Sequence, residues 1–561
     1  MDQRSDAPIA PPIVELPIRT AEKGFYDGFS RAVTIPSKII VSLLIMWAIF
    51  FPVSASETLT AANSTIIASF AGWYVYLVAA LIAVCFVVAV IPQSGRLRIG
   101  GADEKPEFGR FSWFAMLFGA GIGIGMLTYS TGEPMAHFST NPEIIRGAVA
   151  GETAEAVRSA YLYTFLHWGF AAWGCYALVG LAIAYVSYRR GLPLTIRSAL
   201  VPLFGRALSG PVGHLVDIVA VVATILGVAV TMGLGVEQFV AGLARLGLGD
   251  WLLDADGSSS ASAVIVALLV LVGASTISAL SGVGRGIKWL SNLNMALSFL
   301  LLALFVVVGS GLFGLELLGV GIYDYLRTLI PASLTLYPGS ETEIGQALVQ
   351  WQLDWSVFYW AWWIAFAPFV GMFIARISRG RTVREYVFGV VLVPSLMCFV
   401  WMTLVGGTAI DLELSGEAGG RILETGMSDQ LYATLAVLLD PAVAAIVSGL
   451  VVILLMTYLV TSADSAILIV NTINGAGETE GERRHHIIFW GAALAFVVGS
   501  MLILGGIDAI RITMIIGALP FSFVVALMAI AILKAILFDL IRKRHGVPTT
   551  SEGCAALPPA E

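Results

Sequence analysis

Two stretches of the sequence concentrate large aromatic side chains. HWGFAAWGCY carries Trp168, Trp173 and Tyr176, and DWSVFYWAWWIAFAPFVGMF carries Trp355, Trp360, Trp362 and Trp363. On one continuous helix, Trp168, Trp173 and Tyr176 project at about 0°, 140° and 80°, an arc wide enough to wall a pocket. Tryptophans of membrane helices usually form belts at the interfaces. Trp363 fits that pattern poorly, because it falls about 26 Å along a helix of about 46 Å. Trp362 and Trp363 point about 100° apart, so at most one of the two is expected to complete the same cage. Such rings attract a quaternary ammonium or sulfonium group by roughly 0.5–2 kcal/mol each, and they do so without a buried carboxylate.

Two further clusters bear on ligands. The segment FGAGIGIGMLTYSTGEP has glycines at 119, 121, 123 and 125, a spacing that is not the GxGxxG of a dinucleotide loop. Either the helix unwinds there, freeing amides around Gly121, Ile122 and Gly123 for a substrate carboxylate, or the glycines allow close helix packing. In MTYLVTSADSAILIV, Thr461 and Ser462 present adjacent hydroxyls suited to a small cation such as sodium, unless they bond back to their own helix. Asp464 is an acidic residue in the same apolar run, a functional candidate by position. Metal-dependent catalysis has little support. His137, His167, His214, His485, His486 and His545 are dispersed, no HExxH occurs, and the four cysteines form no CxxC pair.

The elements that must hold these residues follow from composition. Of 561 residues, 58% are apolar and 12% charged, against roughly 25% charged in a soluble domain. An ordinary soluble enzyme and most nucleic-acid binders are excluded, and a polytopic membrane protein is implied. Twelve apolar runs are long enough to span, near 36–55, 71–92, 110–138, 158–188, 213–246, 261–281, 288–314, 346–376, 384–410, 441–473, 486–507 and 509–541. With both termini on the cytoplasmic side, 25 of the 31 Lys and Arg residues fall inside, as the positive-inside rule requires. The longest runs need tilt or a break. Residues 321–333, with Tyr323, Tyr325, Leu326 and Leu329, read as an amphipathic helix along the outer surface.

GAGIGIG followed by TGEP, the HW pair with Trp and Tyr downstream, FYWAWWIAFAPFVGMFIARISRGR and TSADS together resemble the betaine-choline-carnitine transporter family over residues 25–540. The resemblance implies an all-α secondary transporter with no enzymatic activity and no cofactor, in a bacterial cytoplasmic membrane. Its twelve transmembrane helices would be two peripheral helices (35–92) and inverted five-helix repeats at 110–314 and 346–541, accompanied by a cytoplasmic segment (1–34), a surface helix (318–333) contributing to a homotrimer, and a short tail (542–561). By family position, the aromatic box falls on Trp168, Trp173, Tyr176 and Trp363, with Trp362 beside it, and Phe366 replaces a tryptophan. Sodium would be held by backbone carbonyls of Gly119, Ile122 and Tyr458 and hydroxyls of Thr461 and Ser462. A second sodium site would fall on Thr224, Val228 and Phe369, where Val228 lacks a hydroxyl. The arginine of sodium-independent members is absent near Asn294 and Met295. Gly125 lacks the aspartate that favours choline, which points to a zwitterion such as glycine betaine or dimethylsulfoniopropionate. The tail lacks a long basic segment, so osmotic activation is not expected.

Overall fold

The computed structural model describes residues 9–101, 103–121, 123–255, 257–280, 286–339, 341–478 and 484–556, with 118–121 and 286–289 by backbone alone. Among the described residues the regular elements are all helices, apart from isolated bridges. The main helices are α1 (Arg31–Phe50), α2 (Pro52–Val90), α3 (Arg110–Gly121), α4 (Gly123–Ser139), α5 (Ala156–Trp168), α6 (Phe170–Arg190), α7 (Pro211–Arg245), α8 (Ala261–Leu280), α9 (Gly286–Val307), α10 (Gly311–Leu334), α11 (Glu343–Ile377), α12 (Val383–Leu414), α13 (Pro441–Asn474) and α14 (Arg484–Arg544). Ten helical segments among the described residues are long and apolar enough to cross a membrane, with α5 and α6 forming one of them. The protein is a multi-pass membrane protein.

Several boundaries differ from the apolar runs. The first run does not continue to residue 55, because Pro52, lacking an N–H, opens a new helix directly after Phe51. That second helix includes the polar turns before residue 71 and is 39 residues long. The run at 158–188 is not one regular helix. Gly169 has φ −86° and ψ −134°, outside the helical region, and separates α5 from α6. A Cβ at Gly169 would lie 2.5 Å from the Phe165 carbonyl oxygen and 2.7 Å from the Tyr325 hydroxyl, so the break depends on glycine. α11 is continuous but contains a π-helical turn at Leu353–Val357, and α12 has another at Met402–Gly406. In α14, Gly505 and Gly506 are non-helical, and Gly506 has φ +66°, a conformation glycine adopts without strain.

The inner and outer helices are distinguished by burial. The apolar window of α5–α6 is 100% buried and that of α11 94%, against 33% for α1 and 22% for α9. In lipid, helix association relies on close packing rather than on escape from water, so small residues mark the contacts. Gly180 of α6 faces Gly371 of α11 so closely that a Cβ on Gly180 would lie 2.8 Å from the Gly371 carbonyl oxygen. On another face of α11, a Cβ on Gly227 of α7 would lie 3.0 Å from the Ala365 carbonyl carbon. α11 is thus wedged between α6 and α7. α10 lies against α5: Arg158 Nε donates to Asp324 Oδ2 at 2.9 Å, and the Phe170 amide donates to the Tyr325 hydroxyl at 2.9 Å. Tyr325 is buried while Tyr323 and Leu326 are exposed.

Candidate substrate site

The break at Gly169 and the wedge of α11 bring the aromatic residues together. Trp168 ends α5, Trp173 and Tyr176 follow on α6, and Trp362, Trp363 and Phe366 face them from α11. All six side chains are buried. Trp168 meets Trp363 with centroids 5.2 Å apart and planes at 72°. Trp363 meets Tyr176 at 6.2 Å and 81°, and Tyr176 meets Trp173 at 5.6 Å and 88°. Each ring turns nearly a right angle from the one before, so the four pack edge to face in a row, called the aromatic chamber below. Phe366 extends the row, 6.4 Å from Tyr176.

Two expectations from helix geometry are corrected. The arc assigned to Trp168, Trp173 and Tyr176 assumed an unbroken helix, whereas Gly169 reorients Trp168 relative to the other two. Trp362 and Trp363 do not diverge: their indoles stack at 4.9 Å and 13°, and both contact Trp168. Side-chain torsions in a crowded interior override the 100° separation of their backbone positions. Trp363 is further fixed by its indole N–H, which donates to the His167 carbonyl at 3.0 Å. Tyr176 Oη and Trp362 Nε1 are buried polar atoms without a hydrogen-bond partner among the described residues.

The glycine motif is resolved in part. Ile122, named for both substrate and sodium, lies outside the described residues, while Gly119 and Gly121 lie in α3 and Gly123 opens α4. At Gly123 and Gly125 the close-packing reading holds. A Cβ on Gly123 would fall 2.0 Å from Cδ1 of the Tyr458 ring, and one on Gly125 would fall 3.0 Å from Trp168 Cη2 and 3.5 Å from Trp362 Cη2. Gly125 is therefore in contact with the chamber, and the chain has no carboxylate at this position.

The hydroxyl cluster on α13 behaves differently. Thr461 Oγ1 donates back to the carbonyls of Thr457 at 3.0 Å and Tyr458 at 3.2 Å, and accepts from Asn294 Nδ2 at 3.3 Å. Ser462 is adjacent in α13, and the Tyr458 hydroxyl is bonded to Ser298 Oγ at 2.9 Å. Thr224 likewise bonds back to Ala220, beside a fully buried Val228, while Phe369 packs on Phe366. Asp464 accepts from Ser278 Oγ at 2.7 Å and Ser465 Oγ at 3.1 Å.

Aromatic patterning alone passes over Glu133, and with it the expectation of a cage with no nearby carboxylate is corrected. Glu133 is fully buried on α4 and meets four groups. Trp168 Nε1 donates to Oε2 at 2.5 Å, and the Tyr359 hydroxyl donates to the same oxygen. His167 Nδ1 and His137 Nε2 lie 2.6 Å and 3.2 Å from Oε1. The two histidines, far apart in sequence, therefore do come together, and the ligand atoms of Glu133, His137 and His167 all lie within 4.8 Å of one another. At 2.6 Å the His167 contact has hydrogen-bond length, and in a neutral ring Nδ1–H would donate to Oε1 while Nε2 accepts from Ser356 at 3.0 Å. A buried acid in an apolar segment, with His137 four residues on and His167 beside Trp168, was the available signal. Tyr129 is a second addition. Its ring touches Trp168, Tyr359 and Trp362, and its hydroxyl accepts from Arg511 Nη2 at 3.1 Å.

Fold and chamber define an all-helical membrane protein whose interior is lined by aromatic rings. The model of the BCCT family, betaine/carnitine/choline family transporters, matches residues 32–539. The chain belongs to this family, and is thus a secondary transporter rather than an enzyme. It is 36% identical over 498 residues to the glycine betaine transporter OpuD of Bacillus subtilis, covering 89% of this chain and 92% of that one. It is 37% identical over 484 residues to the high-affinity choline transport protein of Escherichia coli K12, covering 84% and 67%. Against the osmo-independent choline transporter BetT1 of Acinetobacter baylyi the identity is 36% over 507 residues, covering 89% and 92%.

Proposed function

We propose that the protein imports a methylated onium zwitterion, glycine betaine or dimethylsulfoniopropionate, by sodium symport with alternating access. It would work as a homotrimer in the bacterial cytoplasmic membrane, with twelve spans, two inverted five-helix repeats and both termini inside. The observation that carries this reading is the row of rings from Trp168 through Trp363 and Tyr176 to Trp173, turning by 72°, 81° and 88°. Rings set at such angles present faces in several directions, and such faces attract a methylated cation. Tyr176 Oη and Trp362 Nε1, buried without partners among the described residues, supply donors for the anionic end of a zwitterion. Gly125 contributes contact but no charge. For sodium, the support is compositional: oxygen groups at Tyr458, Thr461 and Ser462, and Asn294 rather than a cation beside Thr461. The non-helical pair Gly505–Gly506 in α14 and the α3–α4 pair support the count of twelve.

Choline is the second reading, favoured by Glu133 behind Trp168 and by the names of two relatives. A substrate panel in proteoliposomes, with and without an inward sodium gradient, separates the two. Gradient-driven uptake of betaine or the sulfonium compound above choline is expected. Uptake indifferent to replacing sodium with N-methylglucamine would overturn the symport reading, and preferred uptake of choline would overturn the zwitterion reading.

A further inference from the structure

Glu133 is fully buried, and its hydrogen bonds hold the rings of the chamber. An indole N–H can only donate, so the oxygen facing Trp168 is an acceptor. The same oxygen takes the Tyr359 hydroxyl, and Tyr359 stacks on Trp363 at 5.3 Å and 26°. The other oxygen engages His167, whose own carbonyl receives the Trp363 indole N–H. One carboxylate on α4 thus fixes the end of α5 and the middle of α11, and both indoles of the Trp168–Trp363 corner are oriented through it or its immediate neighbour.

A brace alone does not need a charge. Placing an acid in an apolar segment is costly, and the single oxygen of a neutral amide could accept the Trp168 and Tyr359 hydrogen bonds, with the amide N–H turned to His167. What an anionic acceptor adds is polarisation: a charge-assisted hydrogen bond from an indole N–H shifts electron density into the ring and makes its face more negative. We propose that Glu133 is the positioning residue of the aromatic chamber and that, through its bond to Trp168, it strengthens that ring's attraction for the onium head. It touches no substrate itself and acts through Trp168 and Tyr359. The inference rests on the chamber being the substrate site.

The test compares two ligands of one shape on the purified protein. Glycine betaine carries a trimethylammonium head, and 3,3-dimethylbutanoate replaces its nitrogen by carbon, keeping the carboxylate and losing the positive charge. Wild-type protein is expected to prefer betaine. Glu133→Gln keeps the side chain's shape and an acceptor oxygen, and is expected to reduce that preference by about tenfold, mainly through weaker betaine binding. A purely structural role would weaken both ligands together, and an unchanged ratio in Glu133→Gln would overturn the proposal. If Glu133→Gln does not reach the membrane, Glu133→Asp, which draws the carboxylate back from Trp168, is read by the same ratio: a fall supports the proposal, and a wild-type ratio overturns it. Equal binding of the two ligands by wild-type protein would be a different result, removing the onium chamber itself.

Discussion

The aromatic chamber and the hydroxyl cluster on α13 are both buried, and the helices that carry them pack on different glycines of α4, Gly125 against Trp168 and Gly123 against Tyr458, yet the two regions are organised differently. In the chamber, side chains from three helices meet one another: Trp168 touches Trp363 and Trp362, and Tyr176 touches Trp363, Trp173 and Phe366. On α13, Thr461 bonds mainly to its own helix through the carbonyls of Thr457 and Tyr458. The difference is one of chemistry. A ring face recognises a cation from wherever packing leaves it, whereas a hydroxyl coordinates an ion only after releasing the backbone bond it already makes. The chamber is preorganised and the hydroxyl cluster is not, so ion binding there would be coupled to a local rearrangement.

Breaking the chamber has the largest expected effect. Trp363→Leu and Trp168→Ala should each lower uptake at subsaturating substrate by at least about thirtyfold, the loss typical of a central buried aromatic contact. Retained uptake in both variants, with normal membrane levels, would separate the rings from transport. The junction between the two regions comes next. Gly123→Ala places a methyl 2.0 Å from the Tyr458 ring, which is held at its far end by Ser298, so a loss of about 1–3 kcal/mol of stability is expected. Gly125→Ala, with its nearest contact at 3.0 Å, should cost less, and thermal unfolding in detergent ranks the pair. Equal stability of the two would mean that α4 is free to move away from α13. The hydroxyls give the smallest effect. Thr461→Ala combined with Ser462→Ala should raise the sodium concentration for half-maximal uptake by roughly fivefold, since each hydroxyl must first release a backbone bond and so contributes a net of about 0.5 kcal/mol. An unchanged sodium dependence would place the coupling ion elsewhere.

Much of the aromatic site is legible in the sequence, because tryptophan is large, rare in mid-membrane and concentrated here in two stretches. The order in which the rings meet is not. It depends on a backbone break at Gly169 that no hydropathy window registers and on torsions that stack Trp362 on Trp363. Glu133 and Asp464 make the same point from the other side. Both are acids in apolar runs, yet Asp464 is met by two serines, while Glu133, inside a motif noted for its glycines and proline, is met by two histidines, an indole and a phenol. Sequence position flags either as unusual, but only the neighbours contributed by α5 and α11 distinguish their roles. Helices follow the apolar runs because long runs have no other satisfied backbone structure in lipid. Their ends depart from the runs where Pro52 opens a helix or where the polar first turns of α2 remain helical.

The most direct measurement is the position of the onium centre. Arsenobetaine places an anomalous scatterer where betaine has nitrogen, and diffraction from crystals of the protein bound to it locates that atom without reference to the surrounding density. The account predicts an arsenic peak within about 6 Å of the ring centroids of Trp168, Tyr176 and Trp363. A peak outside the space these rings face, with the chamber rings in contact only with one another, would contradict it.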